Sequence, residues 1–405
     1  MYSFIKSLGG LPKKFYSIST ASLLFQLPRF ITQPVLALFL LELGASLPEV
    51  GLILSIQSIG KIILRIPLTL LTQRLGKSRM IKLSFIVQTS TYLFYYLAPS
   101  PRWFLIIPFY QILATGSFNQ IALSEASNIA PITRQGDAIG QYMTFMHAGQ
   151  FIGPLITSVL LIYTGYSRVF LAAALFPIIG LVLFLVAGFE ENIDKNSKEP
   201  DEKVGVFEGI DTLRRVVKEK DVRLLSVLRI SFSLGSSIFT ILFPVWVVVG
   251  LQFSSSVAAL LFSVLGFADA FIRIPFGRLA DRIGAKRVLF YTYLLIIFDY
   301  IIIAYSRNIY ILSLVIFVYG ACSGIRAVSE WTHLVSVIDP KIKTMSMSFL
   351  FNCFDFGTMI GSISAGFLTT ILPFQTLMLI TAFLIMPTIP AITKMTNTDN
   401  ERNDV

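Results

Sequence analysis

Tyr319, Ser323, Arg326, Glu330 and His333 recur at spacings of four, three, four and three in an otherwise apolar stretch. On an α-helix these positions share one face. A second apolar stretch carries Gln111, Thr115, Asn119 and Glu125 on an equivalent face, and a third carries Gln26, Arg29 and Gln33 beside Pro28 and Pro34. A fourth offers Ser233, Ser236, Ser237 and Thr240. Ionisable and polar groups at membrane depth are costly and usually functional. Here they would hydrogen-bond a small polar solute, or, read more plainly, one helix to another. Arg29 and Arg326 could bind an anionic solute or be neutralised by Glu125 and Glu330. Internal pairing is favoured, because an unpaired buried Arg is expensive.

Catalysis is not expected. His147, His333 and the carboxylates form no recognisable reactive dyad, and no phosphate loop, HExxH or GxSxG phrase occurs. Cys322 and Cys353 fall within apolar runs, so no disulfide, metal cluster or cofactor is expected. ATP-driven transport by this chain alone is disfavoured.

The elements that hold these residues must sit in lipid. Hydrophobic residues make up 55% of the 405 and charged residues 14%, against about 25% charged in a soluble domain. Twelve runs approach the ~20 apolar residues of a bilayer span: 18–43, 48–72, 79–98, 102–128, 138–163, 167–188, 223–250, 255–277, 286–305, 308–337, 344–370 and 373–392. They are continuous and too long for barrel strands of ~10 residues, so the expected fold class is all-α. Lys and Arg gather before the first run, after the second, at Arg134, in 190–222, from Arg278 to Arg287, and at Lys341 and Lys343; the opposite loops hold Arg102, Arg168 and Arg307. This bias places both termini in the cytoplasm. It also accounts for the net charge of +10, so no nucleic-acid partner is read from it. Lipid, a solute and protons are the partners considered, with a monomer expected in the cell membrane. The first run lacks the pattern of a cleavable signal peptide.

The chain repeats itself. RIPLTLLTQRLGKSR (65–79) returns as RIPFGRLADRIGAKR (273–287), an offset of 273 − 65 = 208. At that offset Ser55 meets Ser263, Gly116 meets Gly324, and Gly149 and Gly153 meet Gly357 and Gly361. The expected organisation is a bundle over 1–189, a charged linker over 190–222 with an amphipathic helix near 204–220, and a second bundle over 223–405. Such repeats place a substrate site near midplane at their interface, with rocking of the halves giving alternating access.

GRLADRIGAKR resembles the loop signature of the major facilitator superfamily, G-x-x-x-D-R-x-G-R/K-R/K. PVLALFLLELGASLPEVGLILS (34–55) is similar to that family's first two helices and GQFIGP (149–154) to its fifth-helix signature. The resemblance implies twelve transmembrane helices in two pseudo-symmetric six-helix bundles and solute transport. It also implies a cytoplasmic gate at Gly277, Asp281, Arg282, Gly284, Lys286 and Arg287, with Arg74 and Gly76 in the first copy and Gly149, Gly153 and Pro154 in the fifth helix. The first copy has Thr69 and Gln73 where the second has Gly277 and Asp281, so it lacks a charged latch. The Arg that the family's proton-coupled exporters carry in the fourth helix is Ile112 here, which counts against proton antiport.

By the family's helix order, the repeat pairs Lys61 with Asp355 and His147 with Asp269, charges that form in one state and break in another. Asp269 could instead pair with Arg273 one turn away. Asp299 has no account from sequence. The leading expectation is secondary transport of a small organic solute, with drug export, nutrient or organic-anion import, and proton coupling all open. The alternative is a transport-dead sensor or scaffold.

Overall fold

The computed structural model describes residues 11–129, 135–187, 206–339 and 342–396. In lipid every backbone polar group must find its partner within the segment, and the α-helix does this. The helices are α1 (Lys13–Thr32), α2 (Leu36–Glu42), α3 (Leu47–Leu75), α4 (Lys77–Leu97), α5 (Trp103–Ile129), α6 (Gln135–Tyr163) and α7 (Tyr166–Val186). After the linker come α8 (Val206–Lys218), α9 (Lys220–Val245), α10 (Ser255–Ile283), α11 (Ala285–Tyr305), α12 (Ile309–Val337), α13 (Lys343–Leu368), α14 (Phe374–Ile385) and α15 (Thr388–Thr393). Among the described residues, eight helices are long and apolar enough to cross a membrane by themselves, and nine if α1 and α2, bent by 47°, form one span. That bend lies at Thr32–Leu36, where Pro34 supplies no amide hydrogen. Ile106, Val182, Leu314 and Phe383 are exposed, as lipid-facing side chains must be.

Two compact units emerge. Unit 1 comprises residues 1–44, 63–200 and 255–263, and unit 2 comprises 45–62, 201–254 and 264–405. In unit 1, α1 packs on α6 and α7, and α4 packs on α5 and α7. In unit 2, α9 packs on α13 and α14, and α11 packs on α12 and α14. These are the same four pairings written twice, as the repeat requires.

Small residues set the closest approaches. A side chain on Gly153 would meet the backbone of Phe30 and Ile31, and one on Gly361 would meet that of Leu234. A Cβ on Gly149 would fall 2.8 Å from the Phe30 ring and 3.2 Å from Leu23 Cδ1. Gly149, Gly153 and the buried Pro154 thus hold α6 against α1 inside unit 1. Within unit 2, a Cβ on Gly51 would fall 2.5 Å from the Ser362 carbonyl and 2.9 Å from Gly366 Cα. Within unit 1, the equivalent of Gly366 is Ser158 (366 − 208), whose hydroxyl lies 3.0 Å from that of Ser256 and 2.9 Å from the Ser256 carbonyl.

The repeated phrase departs from its expected loop form. α3 runs to Leu75 and α10 to Ile283, so Arg74, Gly277, Asp281 and Arg282 are helical in backbone. Nothing in ADRI breaks a helix, and continued hydrogen bonding favours extending it. Each reversal is a single glycine, Gly76 at φ 85° and Gly284 at φ 90°, a region that L side chains rarely adopt. The side chains of Arg74, Asp281 and Arg282 lie outside the described residues, as does the linker over 190–205. Within the linker α8 does form; over 212–218, where its side chains are described, Val216 is buried while Leu213 and Val217 are exposed.

Candidate functional site

The polar stripes divide by where their faces point. In α5, Gln111 is buried and donates to Tyr92 Oη (3.3 Å) and Gln88 Oε1 (3.4 Å). Thr115 and Asn119 are half-buried, and Asn119 accepts from Gln26 of α1. Glu125 takes Lys77 at 3.4 Å rather than Arg29. Arg29 is exposed near the middle of the bent α1–α2 span, and among the described residues no carboxylate lies within ion-pair distance of it. Gln33, one turn on, is half-buried. Unit 1 therefore presents Arg29, Gln33, Thr115 and Asn119 as an accessible amide-and-guanidinium face.

In unit 2 the accessible groups are hydroxyls. Ser236 and Thr240 of α9 and Ser323 of α12 are half-buried. The rest of the α12 stripe turns inward. Tyr319 is buried, its hydroxyl 2.9 Å from that of Tyr300. This pair is the repeat of Gln111 and Tyr92 (111 + 208 = 319, 92 + 208 = 300). His333 is fully buried, with Nε2 2.9 Å from Asp221 Oδ1. Asp221 also accepts from the Thr396 amide (3.0 Å) and hydroxyl (2.6 Å). The Lys286 ammonium donates to the Met395 carbonyl at 2.7 Å. Asp221 and Lys286 thereby tie the segment after α15 onto unit 2. Arg287 is exposed.

The densest chemistry lies around Glu330. Its carboxylate accepts from Arg326 Nη1 (2.7 Å) and the Tyr293 hydroxyl (2.7 Å), and stands 2.9 Å from Arg229 Nε. The Arg229 guanidinium lies over the Trp331 ring at 4.0 Å and Arg326 over Phe232 at 3.6 Å, so each cation also has an aromatic face. Arg326 thus pairs internally, as expected, while Arg229 is a member that sequence had not placed. The register explains why. Gly153 meets Phe30 and Gly361 meets Leu234, so α1 and α9 correspond at 234 − 30 = 204 rather than 208. Arg229 then matches Phe25, Tyr293 matches Phe85, Arg326 matches Phe118 and Glu330 matches Ala122. In unit 1 those three phenylalanines pack together, Phe25 on Phe118 at 3.7 Å and Phe85 against both. Unit 2 has replaced an aromatic core with two guanidiniums, a phenol and one carboxylate. The local sum is one excess positive charge.

The charges expected in pairs are placed as follows. Asp269 accepts a two-pronged hydrogen bond from Arg273 in its own helix, at 2.9 Å. Asp355 is buried, and Lys61 and His147 are half-buried.

Residues 18–325 and 225–403 match the model of the Major Facilitator Superfamily. An MFS-type transporter of Methanocaldococcus jannaschii is 22% identical over 367 residues, covering 90% of this chain and 93% of that one. The multidrug resistance protein MdtG of Proteus mirabilis is 27% identical over 291 residues, 70% of each chain. Among solved structures, the nucleoside transporter NupG superposes with a TM-score of 0.78 at 13% identity, over 95% of this chain and 99% of that one. A bacterial homologue of the human lysosomal transporter Spinster gives 0.74 at 15%, over 95% and 97%.

Proposed function

The chain belongs to the major facilitator superfamily, and from that premise we propose that it moves a small organic solute bearing an anionic or strongly hydrogen-bond-accepting group, by alternating access coupled to protons. A multi-pass membrane protein and secondary transporter is the coarser statement that the family supports. The finer one rests on Arg29. A guanidinium that is exposed at mid-span, with no carboxylate beside it, is an expensive thing to keep in a membrane protein unless something anionic or water reaches it. Gln33, Thr115 and Asn119 extend that face in unit 1, with the buried Gln26 donating to Asn119 behind it, and Ser236, Thr240 and Ser323 offer hydroxyls in unit 2. Gln111, Tyr319 and Arg326, being buried, support these faces from behind in the state described.

In this proposal Lys61, His147, Asp269, Asp355, Glu125 and Glu330 take part in coupling, and the two copies of the phrase around Gly76 and Gly284 gate the cytoplasmic side. Both termini are assigned to the cytoplasm of the cell. The test is Arg29→Gln in cells, against a panel of organic anions and matched neutral amphiphiles. Loss of movement at least about tenfold for the anions, the equivalent of ~1.4 kcal/mol, is the expected result. Unchanged movement of every panel member by the variant would remove Arg29 from solute recognition.

A further inference from the structure

Asp299 is the carboxyl that the sequence left unexplained. It lies well within α11, is 4% exposed, and its Oδ2 has no hydrogen-bond partner. α11 packs on α12, α14 and α15. From α14 and α15 no titratable side chain faces it, since FQTLMLITAFLI and TIPAIT contain none. From α12 it is close to Tyr319 and Cys322, and on its own helix to Tyr300. Arg326, one turn beyond Cys322, is engaged with Glu330, as is Arg229. Among the described residues no cation stands within ion-pair distance of Asp299. A bare carboxylate in such a place would bear a large desolvation cost, whereas the carboxylic acid would not. The repeat sharpens the point. Its equivalent in unit 1 is Thr91 (299 − 208), whose hydroxyl is satisfied by the Val87 carbonyl at 2.7 Å. The neighbouring Tyr92 is kept as Tyr300 while Gln111 becomes Tyr319, and unit 2 places a carboxyl where unit 1 has a hydroxyl.

We propose that Asp299 is a proton-binding site, loaded in the state described here and emptied in another, and that its proton is the one carried in transport. In the state described Asp299 makes no hydrogen bond to either phenol, so its release requires a rearrangement that brings the carboxyl to the Tyr300–Tyr319 pair. The Tyr300 and Tyr319 hydroxyls lie 2.9 Å apart, and Ser236, half-buried on the accessible face, adjoins Tyr319. On release, Asp299 gives up one proton and becomes a carboxylate. Each hydroxyl accepts one proton and passes one on, and water takes the last, so the relay itself is unchanged.

This inference rests on the proton-coupled reading above, but its first test needs no solute. Infrared spectra of the full-length protein in liposomes, taken across mildly acid to mildly alkaline pH, report the carbonyl stretch of protonated carboxyls. The expected result is a band that fades as pH rises, absent from Asp299→Asn and retained in Asp355→Asn. A band unaltered by Asp299→Asn, or one that persists at every pH, would overturn the proposal, the second because a fixed proton cannot be carried. Titration of Asp299 in a protein that no proton gradient drives would overturn the coupling role. Gradient-driven transport without titration of Asp299 would discard this site and leave the proton-coupled reading standing.

Discussion

Glu330→Gln is expected to destabilise unit 2 by about 3–5 kcal/mol, the cost of leaving buried charges without their partner. Two guanidiniums depend on this carboxylate, and it is 1% exposed. Gln keeps the size and can still accept from Tyr293, so the loss reads out charge rather than packing. The unit 1 core supplies the control. Combining Arg229→Phe, Tyr293→Phe, Arg326→Phe and Glu330→Ala copies the set Phe25, Phe85, Phe118 and Ala122, which packs without any charge. Replacing a buried ion network by apolar groups of similar volume is often neutral or stabilising. The fourfold variant is therefore expected to melt near the wild type in detergent, and well above Glu330→Gln. Equal melting of wild type and Glu330→Gln would mean that the carboxylate carries no such load.

Lys61→Asp and Asp355→Lys should each reduce transport about tenfold or more, and the double exchange should restore part of it. The proposed pairing has a geometric basis within unit 2. Gly51 of α3 meets Ser362 and Gly366 of α13, and Leu47 meets Gly366, so the two helices run antiparallel there. Lys61 lies ten residues along α3 from Gly51, about 15 Å at 1.5 Å per residue, and Asp355 eleven residues back along α13 from Gly366, about 16 Å. Their heights agree, and residues 45–62 group with unit 2. Separating a desolvated pair costs several kcal/mol by order of magnitude, more than the ~1.4 kcal/mol behind a tenfold change. A double exchange no more active than either single change would end the pairing.

What could be read from the sequence, and what could not, follows from the physics of each signal. Lipid demands continuous apolar runs, so the helices were legible, most of them to within a few residues, although among the described residues eight or nine rather than twelve qualify as spans by length and composition; the offset of 208 agrees with the four helix pairings that recur in each unit. The stripe on α12 was legible as a face, because spacings of four and three keep residues on one side of a helix. Its direction was not. Tyr319, Arg326, Glu330 and His333 point into unit 2, and Ser323 alone of the five is half-exposed. Periodicity groups residues but does not say what they face. Arg229 could not be placed because α1 and α9 correspond at 204, so the offset of 208 aligned it with Ala21 rather than Phe25. Asp299 stood out by residue type, but only burial and the missing partner give it meaning.

The central claim, secondary transport of a small organic solute driven by an ion gradient, is tested most directly with the purified chain in liposomes, with no ATP and no other protein. An imposed proton gradient should drive a panel solute, with organic anions first among candidates, above its equilibrium distribution, and a protonophore should collapse the accumulation. Impermeability of the loaded liposomes to every panel solute, or movement that never exceeds equilibrium and ignores the gradient, would contradict it.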